Sequence, residues 1–172
     1  MLRSIIGTFS SKLLTTGLNF IILLLQAQFL GAEGKGAISL FIASLTIIQH
    51  INDLIGGTAV VYLAPRIKAG ELLWPGYIWA IVTGMVGSTI LHLTGHTAEG
   101  EWMHLLWLSV LLYIFSIILK FLLGIERIGW FIILSVIQVI ATIAPFAYMV
   151  FIESSREYLS FIYSLYVSYS IC

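Results

Sequence analysis

Apolar residues run along this chain in long blocks, broken at intervals by glycine, proline and charge. Five blocks predict helices long enough to cross a membrane, over residues 9–30, 37–63, 76–93, 102–124 and 129–152. A sixth, 158–172, stays apolar to the final residue. As a helix it rises about 21 Å, against roughly 30 Å of bilayer hydrocarbon. It is expected to be an incomplete span, and the chain to be the first part of a longer protein. The alternation of a membrane β-strand is absent, and an open sheet would leave backbone groups unpaired in lipid. The expected fold is thus all-α and integral to a membrane: a bundle of five full transmembrane helices plus a truncated sixth. The connections, 31–36, 64–75, 94–101, 125–128 and 153–157, are short and punctuated by turn formers. None is long enough for a soluble domain, so residues 1–172 form one transmembrane unit.

Polar residues inside the blocks fall at helical spacing. The first block carries Thr8, Ser11, Thr15, Asn19 and Gln26 on one face. The second carries Ser39, Thr46, His50, Asp53 and Gly57 on a stripe, with Gln49 and Asn52 alongside. The fourth has Ser109, Tyr113, Ser116 and Lys120, and the fifth Ser135, Gln138, Thr142 and Pro145. Such stripes line either a hydrated cavity or a hydrogen-bonded packing seam. Ser and Thr on membrane helices often bond their own backbone, and small residues such as Gly84, Gly87 and Ser88 let helices approach closely.

Composition narrows the class. Of 172 residues, 60% are hydrophobic and 9% charged, whereas soluble domains run near 45–50% apolar and about 25% charged. A soluble enzyme, a nucleic-acid binder and a disordered tail are excluded. Eight basic and eight acidic residues cancel, but their placement orients the chain. With the N-terminus in the cytoplasm, Arg3, Lys12, Arg66, Lys68, Lys120 and Arg127 lie inside, and only Lys35 and Arg156 lie outside. Glu33, Glu99, Glu101, Glu153 and Glu157 fall outside. Trp74, Trp102 and Trp130 mark span ends, as interfacial anchors do. The first apolar run is too long for a secretory signal and is followed by further spans, so it is read as a retained helix. The single cysteine, Cys172, permits no intrachain disulfide.

Asp53 is the residue that packing explains least. It lies about 15 Å from the inner end of its helix, where a carboxylate costs on the order of 2.5–3.5 kcal/mol. It must face protein or water. His50, one turn earlier, is within reach. The pair serves either as a proton- or cation-coupling site or as a structural hydrogen-bonding member. Two side chains are too few for a metal. Lys12 sits just inside the first span, where it snorkels to headgroups or meets an anion. Arg66 closes the second span as a topological anchor or a phosphate contact; Lys120 and Arg127 carry the same ambiguity. No catalytic motif occurs, His92, His96 and His104 are interrupted by a loop, and neither enzymatic activity nor a cofactor is expected.

Three segments resemble a known family. Phe29-Leu30-Gly31-Ala32-Glu33-Gly34-Lys35-Gly36-Ala37 is similar to the turn after the first helix of polysaccharide flippases, the lipid-linked oligosaccharide branch of the multidrug/oligosaccharidyl-lipid/polysaccharide exporter superfamily. Gly57-Thr58-Ala59-Val60-Val61-Tyr62-Leu63-Ala64-Pro65-Arg66 resembles the end of that family's second helix. Leu122-Leu123-Gly124-Ile125-Glu126-Arg127 resembles its fourth-to-fifth cytoplasmic turn. Gln28 and Ala32 depart from the Arg and Pro common there. The resemblance implies an N-terminal lobe of a twelve- to fourteen-helix exporter, with the C-terminal lobe missing. It implies a cell-membrane protein that translocates isoprenoid-diphosphate-linked oligosaccharide for O-antigen, capsule or exopolysaccharide synthesis.

On that reading Lys12 and Arg66 would meet the diphosphate, and Asn19, Gln26, Gln49 and Asn52 the sugar hydroxyls. Asp53 with His50 would couple H+ or Na+ to rocking of the lobes. Two alternatives share the pattern. One is an exporter of drugs or small cations, which an acidic interior would favour. The other is a membrane-embedded enzyme or inert subunit, which a polar cluster at one interface would favour.

Overall fold

A computed structural model describes residues 2–95, 101–151 and 158–172, without the side chains of residues 2–8, 10, 11 and 55. Every regular element among them is helical: α1 (Leu2–Phe29), α2 (Gly31–Leu63), α3 (Ala69–Leu93), α4 (Glu101–Gly124), α5 (Ile128–Phe151) and α6 (Tyr158–Ile171). The first five contain stretches long and apolar enough to cross a membrane; α6 has 14 residues.

Three boundaries differ from the sequence reading. α1 begins at Leu2 rather than residue 9, because the polar N-terminal residues extend the helix without interrupting it. Residues 31–36 are not a connection. Gly31 adopts φ +67°, a left-handed conformation that glycine enters without strain, and this one residue separates α1 from α2. Ala32 and Glu33 then begin α2, with Glu33 favourably placed in its first turn. The 64–75 connection shrinks to residues 64–68, since α3 starts at Ala69 and continues through Pro75. A proline this early removes one hydrogen bond without ending the helix.

The chain divides into two compact units, Met1–Ser39 with Ile128–Cys172, and Leu40–Arg127. In the first, α5 packs on both α1 and α6. Phe29 and Phe151, at the ends of α1 and α5, meet edge to face at 4.9 Å, so those helices run in the same direction. Phe146 meets Phe161 at 5.5 Å, while Ser168 donates to the Gln138 carbonyl at 2.7 Å. Later residues of α6 thus meet earlier residues of α5, which makes that pair antiparallel.

In the second unit, glycines set the approach of three helices. Gly87 of α3 lies against Ile48 of α2, Gly84 against Val110 and Ser109 of α4, and Gly76 against Ile117 of α4. The two α4 pairs make α3 antiparallel to α4, and Gly87 at Ile48 with Thr83 at Asn52 makes it antiparallel to α2. Gly84 and Gly87 act as packing residues, as their spacing suggests. The core beneath them includes Val60, Ala80, Val110, Tyr113 and Ile117.

α4 ends in a Schellman turn. The Arg127 amide donates to the Leu122 carbonyl at 2.9 Å, and the Glu126 amide to Leu123 at 3.1 Å. The residue forced left-handed is Glu126, with φ 58°. Glycine would hold that conformation without a Cβ penalty. Glu126→Gly is therefore expected to raise stability by about 1 kcal/mol, read as a higher melting temperature in detergent. An unchanged or lower melting temperature would show that the Glu126 side chain contributes more than the strain costs.

Candidate functional site

The polar centre of the second unit lies along one and a half turns of α2. Asn52 is fully buried at 0% exposure. Its side-chain oxygen accepts a hydrogen bond from the Thr83 hydroxyl of α3, and its carbonyl accepts one from the Tyr113 hydroxyl of α4 at 3.5 Å. Tyr113 reaches it because residue 56 is glycine: a Cβ there would overlap the Tyr113 hydroxyl. Three helices thus converge on one asparagine. The Asn52 Nδ2 and the Gln49 Oε1 are buried without a partner among the described residues.

Asp53 follows directly. Its Oδ1 forms an ion pair with the Lys120 ammonium of α4 and accepts a hydrogen bond from Gln49 Nε2 at 3.2 Å. Gly57 borders the pair, and a Cβ there would make only ordinary contacts, 3.8 Å from Lys120 Nζ and 3.5 Å from the Asp53 Cβ. The carboxylate therefore has a cation and an amide donor as partners, with part of the side chain still open. That is the arrangement a charge requires among apolar helices.

His50 does not join the pair. It is exposed and shares a shallow groove with Ile47, Ile51, Asp53 and Leu54. Among the described residues Asp53 makes its hydrogen bonds and ion pair with Gln49 and Lys120 instead. The groove leaves one edge of the Asp53 side chain open beside His50, among the exposed apolar side chains of Ile47, Ile51 and Leu54.

The other predicted residues divide between the units. Lys12 and Asn19 are exposed on α1, while Gln26 is 6% exposed in the same unit. Arg66 is exposed at the α2–α3 turn, where its guanidinium lies 4.0 Å from the Tyr62 ring centroid and donates to the Tyr62 hydroxyl. The stripe hydroxyls are satisfied locally: Ser39 donates to the Lys35 carbonyl at 2.8 Å, Thr46 to Ile42 at 2.7 Å, Ser109 to Leu106 at 2.8 Å and Ser135 to Phe131 at 2.8 Å. On α5, Thr142 and Gln138 serve the α6 contact through Ser168. These hydroxyls behave as packing groups. His96, Glu99, Glu153, Arg156 and Glu157, and the side chains of Arg3, Thr8 and Ser11, lie outside the described residues.

Lys120 is the member of the site that the sequence did not assign to Asp53. Its depth hides the relation: it lies about 6 Å of helical rise from the end of α4, whereas Asp53 lies about 15 Å from the end of α2. A helical side chain leans toward the N-terminus of its own helix, which brings the ammonium toward Asp53. The available signal was opposite charge on two apolar spans expected to run in the same direction. No protein-family model, curated protein or solved structure matches the chain.

Proposed function

We propose that the chain is a multi-pass protein of the cell membrane with its N-terminus in the cytoplasm, and that it forms the first lobe of an exporter of isoprenoid-diphosphate-linked oligosaccharide. The distribution of polarity supports membrane embedding. Asn52, Ser88, Ser164 and Ser168 are wholly buried, while Phe9, Leu13, Leu40, Leu54 and Leu93 are each more than 65% exposed. An apolar surface this extensive suits hydrocarbon and would drive association in water.

The Asp53–Lys120 pair is the observation that carries the transport reading. An ion pair between two otherwise apolar helices is costly for a protein that needs only to span a bilayer, and ionisable groups within a span mark functional sites by default, substrate and ion pathways among them. Protonating Asp53 would cancel the attraction and free Lys120. Restoring the charge would re-form the pair, giving two states of the α2–α4 contact that an ion gradient can bias. Lys120 also neutralises the carboxylate that a cationic drug would need, which weighs against the drug-exporter alternative. The three segments that resemble polysaccharide flippases fall at the α1–α2 junction, the end of α2 and the α4–α5 turn.

The test is complementation. The complete gene is expected to restore surface polysaccharide in a strain lacking its own flippase. Absence of restoration, with the protein present in the membrane at normal level, overturns the substrate assignment.

A further inference from the structure

A cavity of about 310 Å³ opens between α2, α3 and α4, at the small end of the range for ligand sites. Its walls are Val60 and Leu63 of α2, Leu72 and Trp79 of α3, and Ile117 and Tyr113 of α4. Small residues create the space, since Gly56, Ala59 and Gly76 also line it. Its deep end reaches the Tyr113 ring, whose hydroxyl bonds the Asn52 backbone. At the other end are Ile67, in the α2–α3 turn, and Glu71, in the first turn of α3.

Shape and charge define the occupant. The eight helical steps of α3 from Glu71 to Trp79 rise about 12 Å, so the lining extends along the helix from the turn to Trp79. An apolar space of this size and direction suits a hydrocarbon chain. The lining is hydrocarbon and aromatic except at the mouth, where Glu71 supplies a carboxylate. Exposed Arg66 and Lys68 flank Ile67 on either side in the chain. The Glu71 carboxylate at the mouth complements the ammonium of a zwitterionic headgroup, whose phosphate would lie over the turn that carries exposed Lys68 and Arg66, the latter stacked on Tyr62.

We infer that this cavity is a binding site for one acyl chain of a membrane phospholipid, with a zwitterionic, ethanolamine-type headgroup held at the α2–α3 turn. The inference rests on the reading of the helices as membrane spans. Bound there, the chain packs against Tyr113, whose hydroxyl bonds the Asn52 backbone, and so supports the polar centre.

The experiment is native mass spectrometry of the full chain, purified in mild detergent from membranes holding both phosphatidylethanolamine and phosphatidylglycerol. Wild type is expected to retain one phospholipid per chain, with phosphatidylethanolamine enriched at least threefold over its share of the membrane. Ala59→Phe, which fills the slot, should reduce retention at least tenfold while circular dichroism shows the same helix content. Ala59→Leu serves as the smaller filler should phenylalanine disturb folding. Glu71→Gln should keep the lipid but lose the headgroup preference.

Equal retention in wild type and the filled variants overturns the site. So does an adduct identified by fragmentation as a polyprenyl diphosphate or as detergent alone. Carbonate washing of the membranes separates the two readings. A chain that washes off sinks the membrane assignment together with this one, whereas a chain that stays and shows equal retention sinks only the lipid site.

Discussion

On the exporter reading, Asp53→Asn is expected to lower transport at least tenfold while leaving the protein in the membrane at near-normal level. Asparagine keeps the shape and can still bond Gln49, but it neither pairs with Lys120 nor offers a carboxylate to a proton or cation. Lys120 is then an ammonium without its counter-charge. Breaking a fully buried ion pair from one side costs about 3–5 kcal/mol. Here the Asp53 and Lys120 side chains keep 35% and 23% of their surface open. Lys120 also lies near the end of its span, where it can turn toward the headgroups. A destabilisation of about 1–3 kcal/mol is the expected result for Asp53→Asn and for Lys120→Gln alike.

The double variant separates stability from function. With both charges gone nothing is left uncompensated, so Asp53→Asn with Lys120→Gln should be more stable than the sum of the single changes predicts. A coupling energy of about 1 kcal/mol or more is expected from melting temperatures in detergent. Transport should stay low, because the titratable group is still missing. Full transport by Asp53→Asn would remove the coupling role. Additive melting shifts would remove the pair itself.

The helices were legible because a run of some twenty apolar residues has few other uses. Their ends were less so. The stretch from Gly31 to Gly36 has the composition of a loop, yet Gly31 alone makes the turn and the remainder is helical. Pro75 looked like a boundary because proline ends helices from within, but one turn and a half from the start it is tolerated. Asp53 was legible by cost, as a carboxylate deep in an apolar run. Its partner was not, because a sequence gives the depth of Lys120 but not the register of α2 against α4.

Register also sorted the polar stripes. Ser39 and Thr46 share a helical face with Asp53, yet each bonds its own helix. Asn52, set beside that stripe by spacing, is the residue on which three helices converge. Periodicity gives a face, whereas the direction of that face depends on small residues such as Gly56 and Gly87, whose role is defined only by what stands opposite.

Gly124 fixes that register, and Gly124→Ala is expected to have the largest structural effect of any single methyl group in this unit. A Cβ there would lie 2.6 Å from the Val61 carbonyl oxygen, 2.6 Å from the Ala64 Cβ and 3.1 Å from the Val61 Cα. Two of these are backbone atoms of α2, which cannot rotate aside, so the helices must part. Overpacking of this kind costs about 1–3 kcal/mol. Gly76→Ala supplies the contrast, because the atom it meets is the tip of the Ile117 side chain, which can turn away. Gly129→Ala meets nothing within 4 Å and should be neutral or slightly stabilising, since alanine favours helix. Melting temperatures are therefore expected to rank Gly124→Ala lowest, then Gly76→Ala, then Gly129→Ala. Lys120 sits one turn before Gly124, so parting the helices also draws the ammonium from Asp53, and Gly124→Ala should lose transport as the charge variants do. Equal melting of Gly124→Ala and Gly76→Ala would mean that α2 and α4 do not meet at this glycine, and the register that joins Lys120 to Asp53 would fall with it.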